Sequence, residues 1–300
     1  MNTRRLLDCA VMGAVAAGLL ACQAEVETQD EVGLAEQASI CGTNNLQHVE
    51  QYDGTLGPSQ EFVMAHQSPV FNVKWKNDLA SRYTNPGDVQ GARWCTGTMI
   101  SADLGILAGH CFDPDNNGWT WPRSNATGQP ITPAEGALEM QVDFNYQLDP
   151  AGVARTPTTF NVSELVEYRL GNLDYAVIRL AGNPGATFKN TTISPFPLAL
   201  GQLITIIQHP SGEQKQIHAG PVASVSPTWV TYSDADTLGG SSGSGVLNTL
   251  TGYIAAIHTT AGCTVTGGAN QGVPVSAIYG VSPTVRTASF DTAKLMVALQ

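Results

Sequence analysis

The sequence predicts an all-β fold, a sandwich or a pair of barrels, with one short helix at the carboxyl end. Three observations carry that expectation. Short apolar stretches recur between Gly, Pro, Asn and Asp clusters such as 113–118, 182–185 and 209–213, the punctuation of strands joined by turns. Leu138, Met140, Val142, Phe144, Tyr146 and Leu148 alternate with Glu139, Gln141, Asp143, Asn145 and Gln147, the period-two pattern of a half-buried strand. The composition, with 31 Gly, 17 Pro and only 13% charged residues in 300, excludes coiled coil and charge-driven disorder.

Taken in chain order, residues 1–22 read as a leader. Arg4 and Arg5 precede an apolar run from Cys9 to Ala21, the layout of an export signal. The run ends Leu19-Leu20-Ala21-Cys22, similar to the lipobox of bacterial lipoproteins, which makes Cys22 the expected lipidation site and a membrane anchor. Residues 23–40 hold five acids and no base and read as a solvated tether or pro-segment. The globular part is expected from Cys41 to the end, with strands at 94–100, 138–148, 160–169, 174–180, 202–208, 215–225, 229–232, 253–258 and 273–279. Ser289 is expected to cap a helix carrying Ala293, Leu295, Met296 and Leu299. Beyond Cys9 and Cys22, four cysteines remain: Cys41, Cys95, Cys111 and Cys263. In an exported chain that even number predicts two disulfides.

A net charge of −11 (14 Lys+Arg against 25 Asp+Glu) supplies no basic field for a nucleic-acid backbone, so no nucleic-acid partner is expected. No apolar run reaches the ~20 residues of a membrane-spanning helix. Asp113, Asp115, Asn117 and Gly118 match the first half of a calcium loop, but Ser124 stands where its bidentate Glu belongs. His48, His66 and His218 lack metal-ligand spacing, and neither metal nor cofactor is expected.

Three segments carry chemistry. They are Cys95-Thr96-Gly97-Thr98-Met99-Ile100 with Leu107-Ala108-Gly109-His110-Cys111, then Asp174-Tyr175-Ala176-Val177-Ile178, then Gly239-Gly240-Ser241-Ser242-Gly243-Ser244-Gly245. A serine hydroxyl becomes nucleophilic when an imidazole takes its proton and a carboxylate fixes that imidazole's tautomer. In these segments and this order, the chain resembles the trypsin/chymotrypsin-fold serine peptidases, above all the secreted bacterial glutamyl- and lysyl-endopeptidase-like group. The His–Asp–Ser order is that fold's, unlike subtilisins or α/β-hydrolases.

The resemblance implies two antiparallel six-stranded β-barrels, about 41–181 and 182–300, meeting at a cleft. It makes Ser242 the nucleophile, His110 the general base and Asp174 its orienter, with the amides of Gly240 and Ser242 as oxyanion hole. It pairs Cys95 with Cys111, pinning the His110 loop, and Cys41 with Cys263, tying the amino end to the pocket wall. Ser241 stands where animal members carry the acid that receives a new N-terminus, Leu107 where Thr is usual, and Gly245 where Pro is usual. His209, in a loop that recurs in the bacterial group, is expected to be structural. For the pocket the reading stays divided. Asp236 falls where trypsin-like members hold the acid that selects Lys or Arg, whereas Thr237 and His258 match the hydroxyl and imidazole with which glutamyl endopeptidases hold Glu. The implied protein is a monomeric serine endopeptidase of the cell envelope, or secreted, acting on peptides or proteins. Its rivals are a catalytically impaired binding or scaffold protein and an esterase on the same fold.

Overall fold

The computed structural model describes residues 39–115 and 118–289. The leader with Cys22, the acidic stretch up to residue 38 and the segment holding Ala293, Leu295, Met296 and Leu299 lie outside the described residues. Strands β1 (Val70–Trp75), β2 (Arg93–Met99), β3 (Leu104–Leu107), β4 (Met140–Phe144), β5 (Thr158–Arg169) and β6 (Tyr175–Leu180) close a barrel in the order β1-β2-β3-β6-β5-β4. Strands β7 (Leu203–Gln208), β8 (Gln216–Val225), β9 (Val230–Tyr232), β10 (Gly245–Asn248), β11 (Ile254–Thr260) and β12 (Asn270–Pro274) form a second, β8-β9-β12-β11-β10-β7, closed by pairing β7 with β8. All pairs within the barrels are antiparallel.

Residue size sets the interior of the first barrel. Phe71 fills its middle because Gly97 on β2 and Gly105 on β3 leave room; a Cβ at either would fall 2.4 Å or 2.7 Å from the Phe71 ring, inside van der Waals contact. Between the barrels, Ile100, Ile106, Tyr175 and Val177 pack against Ile207, Ile217, Ile254 and Ile257. Val275, Ile278, Val285 and Ala288 of the carboxyl-terminal helical segments join the same core and fasten the barrels together.

Most expected strands fall within two residues of those observed, and five expectations are corrected. The alternating segment 138–148 yields only β4, Met140–Phe144, because Thr132 and Glu135 form a capping box that starts a helix over Pro133–Leu138. At its other end Asn145 turns to φ 57°, breaking the extended run. The expected strand 273–279 ends at Pro274 and becomes a helix, Val275–Val281. Ser289 does not cap a helix: residues 283–289 are already helical, Ser282 Oγ accepts the Val285 N–H (3.0 Å), and Ser289 Oγ donates to Val285 O (2.8 Å). The tether ends earlier than expected, since Ser39 is buried and its carbonyl accepts from Thr237 N (3.2 Å) and Asn270 Nδ2 (2.7 Å). Finally, the amino end belongs with the second barrel, not the first: Gln47–His48 pairs with β8, and Cys41 is bonded to Cys263.

Candidate active site

His110 lies on a single turn, Gly109–Phe112, directly after β3. Gly109 permits that turn to touch the strand entry opposite, because a Cβ there would sit 1.9 Å from Arg169 O and 2.9 Å from Asp174 Oδ1. The Cys95–Cys111 disulfide ties the turn to β2; closing so short a loop is worth about 3 kcal/mol in the chain-entropy account. Asp174 immediately precedes β6. Its Oδ1 accepts the His110 backbone N–H (2.8 Å) and its Oδ2 lies 2.6 Å from His110 Nδ1. One carboxylate thus grips main chain and ring of the same residue, which sets the ring's orientation and places its proton on Nδ1.

The Ser242 loop is shaped by its own main chain. Every carbonyl from Leu238 to Ser242 is taken: Leu238 O by Ser241 N (3.0 Å), Gly239 O by Ser211 N (2.5 Å) and Gly240 O by Thr96 Oγ1 (2.8 Å). Ser241 O receives Ser244 N (3.0 Å) and Ser244 Oγ (2.6 Å), and Ser242 O receives Thr96 N (2.9 Å). Gly243 presses on the approach to His110, where a Cβ would lie 2.3 Å from Thr96 O and 2.7 Å from Leu107 Cβ. Gly240 has φ +88° and backs onto His209 O and Gly212 N, with no space for a Cβ; glycine alone suits both demands. Cys111 Sγ lies 3.9 Å from Ser242 O, so the serine's backbone runs beside the residue that follows His110. Among the described residues, the N–H groups of Gly239, Gly240 and Ser242 have no acceptor, while those of Ser241 and Gly243 do. Ser241, in the place of an acid in animal members, accepts the Leu238 N–H on its hydroxyl (3.1 Å) and closes this turn.

Thr96 escaped the sequence reading, although it sits inside the first motif. Fully buried, it holds Gly240 and Ser242 and also accepts the His209 N–H on Oγ1 (2.9 Å). His209 itself is buried, with Nδ1 2.9 Å from Glu213 O and its ring stacked on Tyr146. Burial, with a lesser push from the Lys215 charge, holds its imidazole well below the usual histidine range.

The three pocket candidates part company. Asp236 is fully buried and its carboxylate is occupied: Oδ1 accepts Cys41 N (2.7 Å), Oδ2 accepts Asn45 N (2.9 Å), and His218 Nε2 lies 3.4 Å from Oδ2. It is neither a solvated turn residue nor an acid left open to a cationic side chain. Thr237 is buried, and among the described residues its hydroxyl has no partner. His258, on β11, is registered to the serine loop through Gly243 N to His258 O (2.8 Å) and His258 N to Ser244 O (2.9 Å). Burial first, then the charge of nearby His110, push its pKa down to about 3. Tyr232, not anticipated, puts its hydroxyl 2.6 Å from His258 Nδ1. Cys95, His110 and Cys111 bring ligand-type atoms within 4.8 Å of one another, but both sulfurs are tied up in the disulfide, so this donor set does not fit a metal.

A family model of the trypsin-like peptidase domain matches residues 95–257. The chain belongs to this family. It is also similar to a protein named extracellular metalloprotease from Bacillus subtilis (strain 168), 29% identical over 192 residues, covering 61% of this chain and 55% of that protein. A second relative, the uncharacterized protein y4fB of Sinorhizobium fredii (strain NBRC 101917 / NGR234), is 32% identical over 172 residues, which are 51% of this chain and 23% of that protein. The chain therefore spans about half of the first relative's length and about a quarter of the second's. Among solved structures, a Glu endopeptidase in complex with MPD overlays with a TM-score of 0.54 at 19% identity, covering 84% of this chain and 99% of that one. At that identity the likeness speaks for the fold.

Proposed function

We propose that this trypsin-family chain is an exported serine endopeptidase that cleaves after acidic residues. The observation that carries the reading is the bidentate Asp174–His110 grip next to a serine loop in which, among the described residues, the amides of Gly240 and Ser242 are among those without an acceptor. In this reading Ser242 Oγ attacks the scissile carbonyl as His110 Nε2 takes its proton. The carbonyl oxygen gains charge and meets the two amides, each worth about 3–4 kcal/mol in the transition state. His110 then protonates the leaving amine, and water, activated by the same imidazole, hydrolyses the acyl-enzyme. Asp174 keeps the imidazole's Nδ1 proton facing it throughout.

The preference for an acidic side chain rests on the pocket candidates. Asp236 has its oxygens filled by backbone amides, whereas Thr237 and His258 supply a hydroxyl and an imidazole, the pair implied by the resemblance to glutamyl endopeptidases. Residues 1–22 would direct export, with Cys22 as lipid acceptor, in keeping with the extracellular B. subtilis relative.

Fluorophosphonate treatment tests the core of the proposal by intact mass. A single adduct is expected on the wild type and none on Ser242→Ala, with peptide turnover lost in Ser242→Ala and His110→Ala. A folded wild type that takes no adduct would favour a binding protein on this fold. A chelator is expected to leave peptide cleavage unchanged; its loss on chelation would overturn the serine mechanism. Paired glutamyl and lysyl peptide libraries decide the specificity.

A further inference from the structure

We propose that Tyr232 is a positioning residue that fixes His258 in its Nε2–H tautomer, so that the pocket meets an acidic side chain with an imidazole N–H donor. The inference rests on the acid-directed reading above and adds the residue that would orient its imidazole.

Tyr232 is fully buried at the end of β9, and its hydroxyl lies 2.6 Å from His258 Nδ1. Among the described residues that hydroxyl has no other partner. A neutral imidazole has one donor and one acceptor nitrogen, and the hydrogen-bond network decides which is which. If Nδ1 carried the proton, the phenol would accept and its own buried O–H would be orphaned, at a cost of about 1–3 kcal/mol. The arrangement that satisfies both groups has Tyr232 donating to Nδ1, which leaves the proton on Nε2; the ring also has the Gln271 main-chain carbonyl as an acceptor for its N–H. Burial holds the phenol in its protonated form and the imidazole in its neutral form. The main chain of His258 is bonded to Gly243 and Ser244, and its ring is buried and held by the Tyr232 hydroxyl. The donor is thereby held in register with the serine loop. His110, whose charge reaches His258, adds to the disfavour for a second proton there.

Two measurements on the full chain test this. Long-range proton–nitrogen NMR of the histidine rings in Ser242→Ala, which removes self-cleavage, is expected to show His258 as the Nε2–H tautomer. Adding Tyr232→Phe should produce a mixture or the Nδ1–H form. Kinetically, Tyr232→Phe is expected to raise KM for glutamyl peptides about tenfold, the worth of one well-made hydrogen bond. The kcat should stay within about twofold and the fluorophosphonate labelling rate should not change, which also reports an intact fold. In a His258→Gln background, Tyr232→Phe should have no further effect on KM. An Nδ1–H tautomer in the Ser242→Ala chain, or an unchanged KM in labelled, folded Tyr232→Phe, would overturn the role of Tyr232. If the wild type cleaves no glutamyl peptide, the acid-directed reading fails on its own, and the NMR experiment still decides the tautomer.

Discussion

Two carboxylates in this molecule, one half-buried and one fully buried, do similar chemistry to different ends. Asp174 accepts a backbone N–H on one oxygen and a ring nitrogen on the other, both from His110. Asp236 accepts two backbone N–H groups, from Cys41 and Asn45. The first aims a side chain that stays partly open to the cleft; the second nails a distant segment to the second barrel. The comparison teaches that an acid's sequence position next to a motif does not set its role. What fills its second oxygen does: a ring nitrogen makes the acid an orienter of a side chain, a second amide makes it an anchor.

The largest effect should come from breaking the first of these. Asp174→Asn would still accept the His110 N–H but would turn an amide toward Nδ1, forcing the wrong tautomer. A fall in kcat of about four orders of magnitude is expected, with the thermal unfolding midpoint nearly unchanged.

A buried cation sharpens the contrast, because among the described residues no carboxylate bonds to it. Lys215 Nζ is fully buried and donates to Gln67 O (2.8 Å). Burial lowers its pKa from 10.5 to about 7, with the Glu50 charge pulling the other way. Between those values the unfolded chain binds the proton more tightly than the folded one, so stability should rise as pH climbs from about 7 to about 10.5. The gain is on the order of 5 kcal/mol from this one group. Lys215→Met should flatten that part of the profile, measured by denaturant unfolding at stepped pH. An unchanged slope would show that the ammonium is solvated in the folded protein.

The smallest of the three effects belongs to the anchor. Asp236→Ala removes the acceptor of two part-buried amides, Cys41 N and Asn45 N, and should cost about 2 kcal/mol in unfolding free energy, while the folded fraction keeps its fluorophosphonate reactivity. Loss of reactivity in a folded Asp236→Ala would mean that Asp236 supports the serine loop after all.

How much of this was legible beforehand follows from where the information lies. The proposed triad residues His110, Asp174 and Ser242 could be singled out, and most strands read, because motif and turn residues mark them locally. Gly243 and Gly240 could be read as loop glycines, but the contacts that require them, Thr96 O and His209 O, come from elsewhere in the chain. The helix at Pro133–Leu138 was hidden beneath an alternating pattern, although Thr132 and Glu135 signalled its start. Val273 and Val275 looked like one strand because a period of two and the first turn of a helix agree over so short a span. Asp236 read as a pocket acid and Tyr232 was not singled out, since their partners Cys41, Asn45 and His258 are brought to them only by closure of the second barrel.

The stitching of residues 39–48 to that barrel also sets an order of events. Gln47 pairs with Ile217, and Cys41 bonds across 222 positions to Cys263. These residues are synthesised before any strand of the barrel they complete, and they must remain uncommitted while about two hundred others are made. Contacts so remote in sequence form late and slowly. The earliest part of the described chain to emerge is therefore among the last to settle, and a chain interrupted before Cys263 would leave Cys41 an unpaired thiol.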